Sequence, residues 1–349
     1  MPNSMFDLVT AVDLAAYWKT MYQDRAPYLG EELFPADKKL GLKLEWLKGS
    51  KGLPVVLKPS AYDVAAVPRP RMTFEKVSVG MPFFKESMYV DEELRQQLNM
   101  VLESGNQAYI DAIINNIFAD NITLIEAAAA QRERMRMSLL STGGIAIAAN
   151  GQSYTYDYGL PANHKVTAAT AWSDPAAKIV DDIRAWADTI EDDTGVRPTR
   201  AICSRKALSA MSKNDPILKS VFVISGGIGM LNEATVRKFI MEELEIELVS
   251  YNKRYVNESG QTVRYMPEDV FSMLPTGPLG KTWFGTTPEE SDLLRGGPAN
   301  VANVALVDTG VAVTTIKKAD PVNVDTKVTM ISLPSFEAAD QVMIADVGV

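Results

Sequence analysis

Residues that carry chemistry are scarce in this chain of 349 residues, which has one cysteine and one histidine. Cys203 has no partner for an intrachain disulfide, so we expect the chain to tolerate a reducing compartment. His164 cannot by itself supply a two-histidine metal site, and a Ser-His-Asp triad or Cys-His pair would have no histidine to spare. We expect Cys203 to be a small buried strand residue and His164 a solvated loop residue. The sequence therefore predicts no catalytic, cofactor-binding or metal-binding residue.

Nucleotide-binding motifs are also missing. The one glycine cluster is Ser225-Gly-Gly-Ile-Gly229, which lacks the Gly-Lys-Ser/Thr of a phosphate loop, and a dinucleotide fingerprint would need glycine where Asn232 lies. We expect a flexible loop there. The acidic pairs are sequence neighbours that point in different directions on a helix, and we expect them to be solvated: Asp181-Asp182, Asp192-Asp193 and Glu242-Glu243. An α/β nucleotide-dependent enzyme centred on residues 172–275 remains an alternative that these absences disfavour.

Long apolar runs and excess positive charge are absent too. No run reaches the roughly 20 residues that cross a bilayer, and the first residues lack a basic region, so we expect neither a membrane span nor an export signal. The net charge of −9 argues against a nucleic-acid-binding surface spread over the whole molecule. The length allows one large domain or two smaller ones.

The strongest local prediction is one long helix from about Glu103 to Leu140. This stretch has no proline, its only glycine lies at the start, and Thr142-Gly-Gly144 ends it. Apolar residues recur at 3- and 4-residue steps and form one stripe: Ile110, Ile114, Ile117, Leu124, Ile125, Ala128, Met135 and Leu139. Such a helix is roughly 55 Å long. The alternative, a coiled-coil arm, is disfavoured by the heptad break at Asn121.

Two extended segments precede this helix. Pro54–Pro59 is rich in β-branched residues, Met72–Val79 alternates, and the prolines of Val67-Pro-Arg-Pro-Arg71 exclude helix between them. These segments predict a hairpin with a stiff, basic tip. Because an isolated hairpin is at best marginally stable, we expect a neighbouring subunit to cover it.

The N-terminal segment, up to about Trp46, has isolated apolar anchors separated by charges and by Pro27 and Pro35, with a short helix near Val12 to Met21. We expect an arm that docks on another surface rather than part of the core.

The second half of the chain alternates helices and strands. We expect a hairpin turning at Asn150-Gly151, and a helix that starts around Ser173–Pro175, buries Ile179, Ile183, Trp186 and Ile190, and ends at Gly195. A strand at 199–204, helices at 205–211 and 232–245, and a hairpin from 247 to 265 around Asn257–Gly260 follow. Strands are expected at 305–307, 311–315, 327–333 and 341–345.

The order of these parts resembles the lambda-like major capsid protein E family of tailed bacteriophages. Met81-Pro-Phe-Phe-Lys-Glu86, Val90-Asp-Glu-Glu-Leu-Arg95 and the long helix are similar to that family's extended-loop end and spine. Trp172–Ile183 is similar to the entry into its axial domain, Leu248–Asp269 to its hairpin, and Asp320–Val349 to its terminal peripheral strands.

The resemblance implies an α+β fold, the tailed-phage major capsid fold. Its implied parts are an N-terminal arm (1–47), an extended-loop hairpin (48–85), a peripheral domain with the spine helix at about 103–140 (86–171), an α/β axial domain (172–280) and a return to the peripheral domain (281–349).

The implied function is a non-enzymatic major capsid protein whose copies form hexameric and pentameric capsomers of an icosahedral head. That head encloses double-stranded DNA without sequence-specific binding. The implied partners are a scaffolding protein and a portal, with a decoration protein left open. The implied place is the virion, after assembly in the host cytoplasm. An encapsulin-type bacterial compartment shell is the alternative within this fold.

Overall fold

The computed structural model describes residues 10–23, 26–48, 75–90, 92–93, 96–97, 99–100, 107–225, 231–294, 302–318, 320 and 323–349. The expected strand Pro54–Pro59, the basic hairpin tip and the glycines that follow Ser225 lie outside these residues.

The helices in the described ranges are α1 Ala11–Gln23, α2 Leu29–Leu33, α3 Gln107–Thr142, α4 Ile179–Thr194, α5 Arg205–Ser212, α6 Asp215–Ser225, α7 Glu233–Leu244 and α8 Pro288–Leu294. The strands are β1 Ala36–Lys38, β2 Lys43–Lys48, β3 Glu75–Gly80, β4 Phe83–Val90, β5 Gly144–Ala149, β6 Gln152–Asp157, β7 Lys165–Thr167, β8 Arg200–Cys203, β9 Glu247–Ser250, β10 Arg254–Val256, β11 Thr262–Arg264, β12 Val270–Leu274, β13 Thr282–Phe284, β14 Ala302–Val307, β15 Val311–Lys317, β16 Val324–Pro334 and β17 Met343–Asp346. Short 3₁₀ turns occupy Ala162–His164 and Ala339–Gln341.

The chain forms two compact units, each built from three separate stretches. The first contains Met1–Leu44, Ser78–Arg134 and Lys281–Ser335, and the second contains Glu45–Val77, Met135–Gly280 and Phe336–Val349. The long helix predicted from the sequence is present as the 36-residue α3, roughly 54 Å long. It ends where Gly143 takes a left-handed backbone conformation (φ 74°), as the Thr-Gly-Gly sequence predicted.

A six-stranded sheet organises the first unit in the order β1-β13-β16-β15-β14, with β4 also paired to β16. β16 is long enough to pair with two strands along one edge, β4 through residues 324–331 and β13 through residues 332–334. β15 occupies its other edge, antiparallel, through residues 324–330.

Helix α1 packs into the core of the first unit. Ala11, Leu14 and Trp18 follow helical spacing and join Ile117 and Ile125 of α3 and four buried residues of the sheet: Val311, Val313, Val328 and Met330. Phe34 is also fully buried. The helix near Val12 to Met21 was predicted correctly. The expectation that this segment lies outside the core was wrong for α1, which packs into the core of its own chain. The reason is that its apolar residues share one face of a helix and are not isolated from one another.

The single apolar stripe expected for α3 holds only in part. Ile117, Leu124 and Ile125 are buried as predicted, but Arg132, Glu133 and Arg136 are also buried. The arginines lie before the last turn, which contains no basic residue, so they are too far from the end of the helix to complement its dipole.

A five-stranded sheet organises the second unit in the order β7-β17-β12-β8-β9. β8 and β9 are parallel and are joined through α5, α6 and α7, whereas β12 is antiparallel to both β8 and β17. Alternate residues of these strands, such as Cys203, Phe271, Met273 and Met343, form one core with the buried faces of α4, α5 and α7.

Helix α4 buries Ile179, Ile183, Trp186 and Ile190 and ends at Gly195 (φ 73°), as predicted. Its predicted start was wrong. The helix begins at Ile179 without a side-chain cap, because the Asp174 carboxylate accepts a hydrogen bond from the Ala176 N–H (2.9 Å) and closes a local turn instead.

The hairpin β5–β6 turns at Asn150-Gly151, both with positive φ, as predicted. The predicted 247–265 hairpin was correct only for β10 and β11, which pair around Asn257–Gly260. Residues 247–250 were wrongly assigned to it: as β9 they pair with β8, an arrangement that local turn residues do not reveal.

The strand-rich end of the chain divides between the units. β13, β14, β15 and β16 lie in the sheet of the first unit, whereas residues 336–349, with β17, belong to the second unit. The domain boundaries implied by the sequence assign residues 281–349 to a single domain. β17 has three consecutive buried residues. This pattern favours a central strand, but it does not indicate which strands pair with it.

Candidate assembly surfaces

Strand β4 of the first unit is largely exposed to solvent. Phe84 and Val90 are partly buried against its core, whereas Phe83 (41% exposed), Met88 (40%) and Tyr89 (69%) are open to solvent. β16 pairs with one edge of β4, and no other strand in the described part of the chain pairs with it. Large apolar side chains on an edge strand are typical of surfaces that another chain covers.

A groove of about 310 Å³ runs beside this strand. Its walls are Ser87–Val90 of β4 and Ile117, Asp120 and Asn121 of α3. The side chain of Asn121 is almost completely buried, whereas Asp120 is exposed. The groove has one carboxylate, Asp120, among its walls, so its chemistry suits an apolar side chain better than a catalytic reaction.

A buried arginine and one carboxylate join helix α3 to the strands of the first unit. Arg132 (4% exposed) donates to Asp308 Oδ2 at 2.9 Å, and its guanidinium lies 5.5 Å from the centre of the Phe284 ring. Trp18 Nε1 donates to Asp308 Oδ1 at 3.3 Å. The carboxylate that pairs with Arg132 therefore belongs to the same chain.

Glu289, on α8, forms a second semi-buried ionic cluster with β16. Its carboxylate accepts hydrogen bonds from Lys327 Nζ (2.6 Å) and Thr329 Oγ1 (2.9 Å). Burial raises the pKa of Glu289, but the hydrogen bonds from Lys327, the backbone and Thr329 outweigh it and leave the pKa below its usual value. This cluster fastens the helix to the sheet.

Cys203 is fully buried in β8, as predicted. Burial, partly offset by Arg237, raises the pKa of its thiol to about 12. The thiol is therefore protonated at neutral pH and is a poor nucleophile.

His164 was predicted wrongly, because it is completely buried. The 3₁₀ turn Ala162–His164 brings its Nε2 to 3.0 Å from Asp193 Oδ2, near the end of α4. Asn163 donates to the same oxygen at 2.6 Å, and these two hydrogen bonds hold the pKa of Asp193 below its usual value. A turn that folds back on a helix end leaves no periodic signal in the sequence.

The other acidic pairs are largely solvated, as expected, with one exception. Asp181 and Glu242 are well exposed, but Asp182 accepts a hydrogen bond from the buried Trp172 Nε1 at 3.1 Å. Burial raises the pKa of Asp182 in spite of this bond. Its role is to satisfy an indole in the core of the second unit.

The hairpin β10–β11 also presents an exposed apolar residue, which lies beside a stacked aromatic pair. Tyr255 stacks on Tyr265 with ring centres 4.8 Å apart, while Val256 is 66% exposed. Glu268 binds Arg264 (2.8 Å) and Lys206 (3.5 Å) and ties the base of the hairpin to α5. These ion pairs therefore hold the base of the hairpin against the second unit.

The described residues contain no group of three or more histidine, cysteine, aspartate or glutamate side chains that is arranged to bind a metal ion. Among the same residues, no helix has the length and apolarity needed to cross a membrane.

The similarity of this chain to known proteins extends over nearly its whole length and is not confined to a short motif. The family model of phage major capsid protein E matches residues 10–347. The chain belongs to the phage major capsid protein E family. No match was found among the curated proteins.

Solved structures agree with this family at the level of the fold. A prophage protein from E. coli CFT073 that is assigned to the capsid matches with a TM-score of 0.59 and 13% identity, over 97% of this chain and 99% of the other. A phage-related protein from Bordetella bronchiseptica RB50 gives 0.55 and 13%, over 97% and 98%. The capsid of cyanophage A-1(L) gives 0.51 and 12%, over 93% of each chain.

The capsid protein therefore has the expected tailed-phage capsid fold and is a structural protein of the phage virion, built to assemble into an icosahedral shell. Membership of the phage family decides against the encapsulin-type compartment, which shares only the fold.

Proposed function

We propose that the shell formed by this capsid protein encloses double-stranded DNA without binding it tightly or reading its sequence. The observation that supports this is the burial of two arginines in the densest basic cluster of the sequence, Gln131-Arg-Glu-Arg-Met-Arg136. Arg132 and Arg136 are 4% and 2% exposed, so they are not available to phosphates. The net charge of −9 acts in the same direction. A container for a polyanion benefits from weak contacts, because tight ones would hinder packing and release.

A titration of unassembled subunits with duplex DNA at physiological salt tests this proposal. We expect no binding in the micromolar range, and a basic DNA-binding protein in the same buffer serves as the positive control. Micromolar or tighter binding whose affinity falls steeply with salt would show a direct nucleic-acid role and overturn it.

We further propose that the protein has no catalytic activity and that its copies form hexameric and pentameric capsomers in the host cytoplasm. Its partners there are a scaffolding protein and a portal, and a decoration protein is left open. Electron microscopy of the purified protein is expected to show closed shells. Particles from the native source are expected to carry DNA; an enzyme cargo instead would contradict the proposal.

The division of labour within the subunit is also a proposal. We assign 1–47 to an arm that is anchored by α1 in the core of its own chain, and 48–85 to an extended loop that contacts a neighbour. We assign 86–171 and 281–349 to a peripheral domain, and 172–280 to an axial domain around the capsomer axis. The separate compact units and their two sheets support a two-part subunit, although the compact units divide the chain at other residues.

A further inference from the structure

The edge of strand β4 is long and regular, and its only protective features are the charged side chains of Lys85 and Glu86. It has eight residues, no proline and no glycine, and Lys85 to Tyr89 are exposed in succession. Because successive side chains point to opposite faces, residues of both faces are exposed in this stretch, although Phe84 and Val90 at its two ends are partly buried against the core. Natural proteins normally shorten, bulge or cover such an edge. This one is therefore prepared for a further strand.

We propose that β4 of a second copy of this chain pairs with it, antiparallel, about a two-fold axis at Ser87. The inference rests on the proposed shell, which supplies many copies, and a closed icosahedral shell contains two-fold axes. A two-fold contact uses the same patch on both subunits, so the strand must be complementary to itself.

The charges of the strand exclude two of the possible registers. Opposite residues in an antiparallel pair alternate between hydrogen-bonded and non-hydrogen-bonded pairs. Two neighbouring pairs are therefore never equivalent, so a two-fold axis must pass between one residue and the same residue of the second copy. Centring on Lys85 places two lysines opposite each other, and centring on Glu86 does the same with two glutamates. Like charges directly opposite destabilise a pair. Centring on Ser87 places two small neutral side chains on the axis.

The Ser87 register also covers the exposed side chains. Lys85 comes opposite Tyr89 of the second copy, a cation-π pair that covers the most exposed aromatic ring of the strand. Phe84 comes opposite Val90 of the second copy, and Val90 is a wall of the groove beside α3. The groove is then lined by apolar residues from both copies.

Disulfide formation tests the register, because the native Cys203 is buried and its thiol is protonated. A Ser87→Cys variant is assembled and mildly oxidised, and cross-linked dimers are quantified. We expect it to cross-link at least about tenfold faster than Ser153→Cys, an exposed site on β6, because pairing raises the local thiol concentration.

Glu86→Cys is the matched control within the strand. In the Ser87 register the two residues 86 are diagonal, roughly 7–8 Å apart, which is too far for a relaxed disulfide. Faster cross-linking at residue 86 than at residue 87 would contradict the register. In the Ser87→Cys background, Tyr89→Ala is expected to slow cross-linking severalfold, since it removes the partner of Lys85.

The outcomes separate this inference from the proposed function. Normal shells whose Ser87→Cys subunits remain monomeric on denaturing gels would overturn the strand pairing and leave the shell function intact. Cross-linked dimers from a protein that never forms shells would support the pairing and count against the shell. Cross-linking of Ser87→Cys to a cysteine introduced at another surface, in place of itself, would show a different occupant and overturn the proposal.

Discussion

Asp308 connects three parts of the first unit through one carboxylate. It accepts hydrogen bonds from the buried Arg132 and from Trp18, and its own backbone is left-handed (φ 53°). Aspartate and asparagine are the non-glycine residues that tolerate this conformation best. The position therefore requires a short side chain, a hydrogen-bond acceptor and a negative charge at once.

We expect Asp308→Asn to destabilise the protein by about 2–4 kcal/mol, because it keeps the shape and the left-handed backbone but leaves the charge of a buried arginine uncompensated. Denaturant unfolding of the subunit measures this. Asp188→Asn is the control: Asp188 also accepts from an arginine, Arg197, at 2.8 Å, but is 53% exposed, so its removal should cost less than about 1 kcal/mol. Equal losses in the two variants would contradict the role of burial.

Glu289 gives a prediction for acid stability. Since its folded-state pKa is below the usual value, its carboxylate stabilises the protein above about pH 4.5, and this contribution is lost as the pH falls through the lowered folded-state pKa. The wild type should therefore be more stable than Glu289→Gln at pH 7, and the difference should shrink below about pH 4.5. A constant difference between pH 7 and pH 3 would show that the interaction is not ionic.

Residue-scale predictions from the sequence succeeded where hydrophobicity decided the environment. Cys203 was expected to be buried because it lies in an apolar strand, and it is. His164 was missed because a polar loop sequence does not reveal that a 3₁₀ turn packs it beneath Asp193. Asp308 was missed for a similar reason: its two hydrogen-bond partners, Arg132 and Trp18, come from segments that are far from it in the sequence.

At the scale of elements, the end of helix α3 depends on Gly143. Its backbone has φ 74°, and a Cβ would meet the end of the flexible Lys165 side chain at 3.0 Å. We expect Gly143→Ala to cost about 1–2 kcal/mol, mostly from the left-handed backbone. Gly80→Ala is the control, because nothing lies within 4 Å of its Cβ position and its φ is not positive. Unfolding curves of the two variants that coincide would contradict this.

Elements with strong local signals could be predicted from the sequence, and those shaped by distant partners could not. The Asn150-Gly151 turn and the buried face of α4 follow from residue chemistry alone. β4 was not predicted as a strand, because it is exposed on both faces near its edge and has no clean alternation of apolar and polar residues. β12, buried at the centre of its sheet, was missed because a short apolar run does not by itself identify a strand.

At the scale of the whole molecule, the hairpin that the sequence predicts around residues 51–83 should matter for assembly and not for folding. Deleting Ser60 to Arg71, which lie outside the described residues, is expected to leave a folded monomer that forms no shells. Circular dichroism measures the first property and electron microscopy the second. A variant with 60–71 replaced by an equally long Gly/Ser segment separates lost contacts from a shortened loop. Shells of normal size from the deletion would contradict an assembly role.

The fold class was recognisable from the sequence because the order of parts is a property of the whole chain. The way in which the parts combine was not: α1 in a core, β9 beside β8 and β17 in the central part of a sheet all depend on pairings between distant residues. No local pattern of hydrophobicity specifies such a partner.

The position of β16 has a consequence for the time course of synthesis. β4 is made early, but the strand that pairs with its inner edge lies at residues 324–334, so a ribosome must translate most of the chain before this pairing exists. Until then both edges of β4 are unsatisfied, and a nascent chain is exposed to wrong pairing with its neighbours on the same message. Once β16 is in place, only the outer edge remains open. The late synthesis of β16 therefore delays assembly, because a subunit has only the outer edge of β4 open after its own sheet is complete.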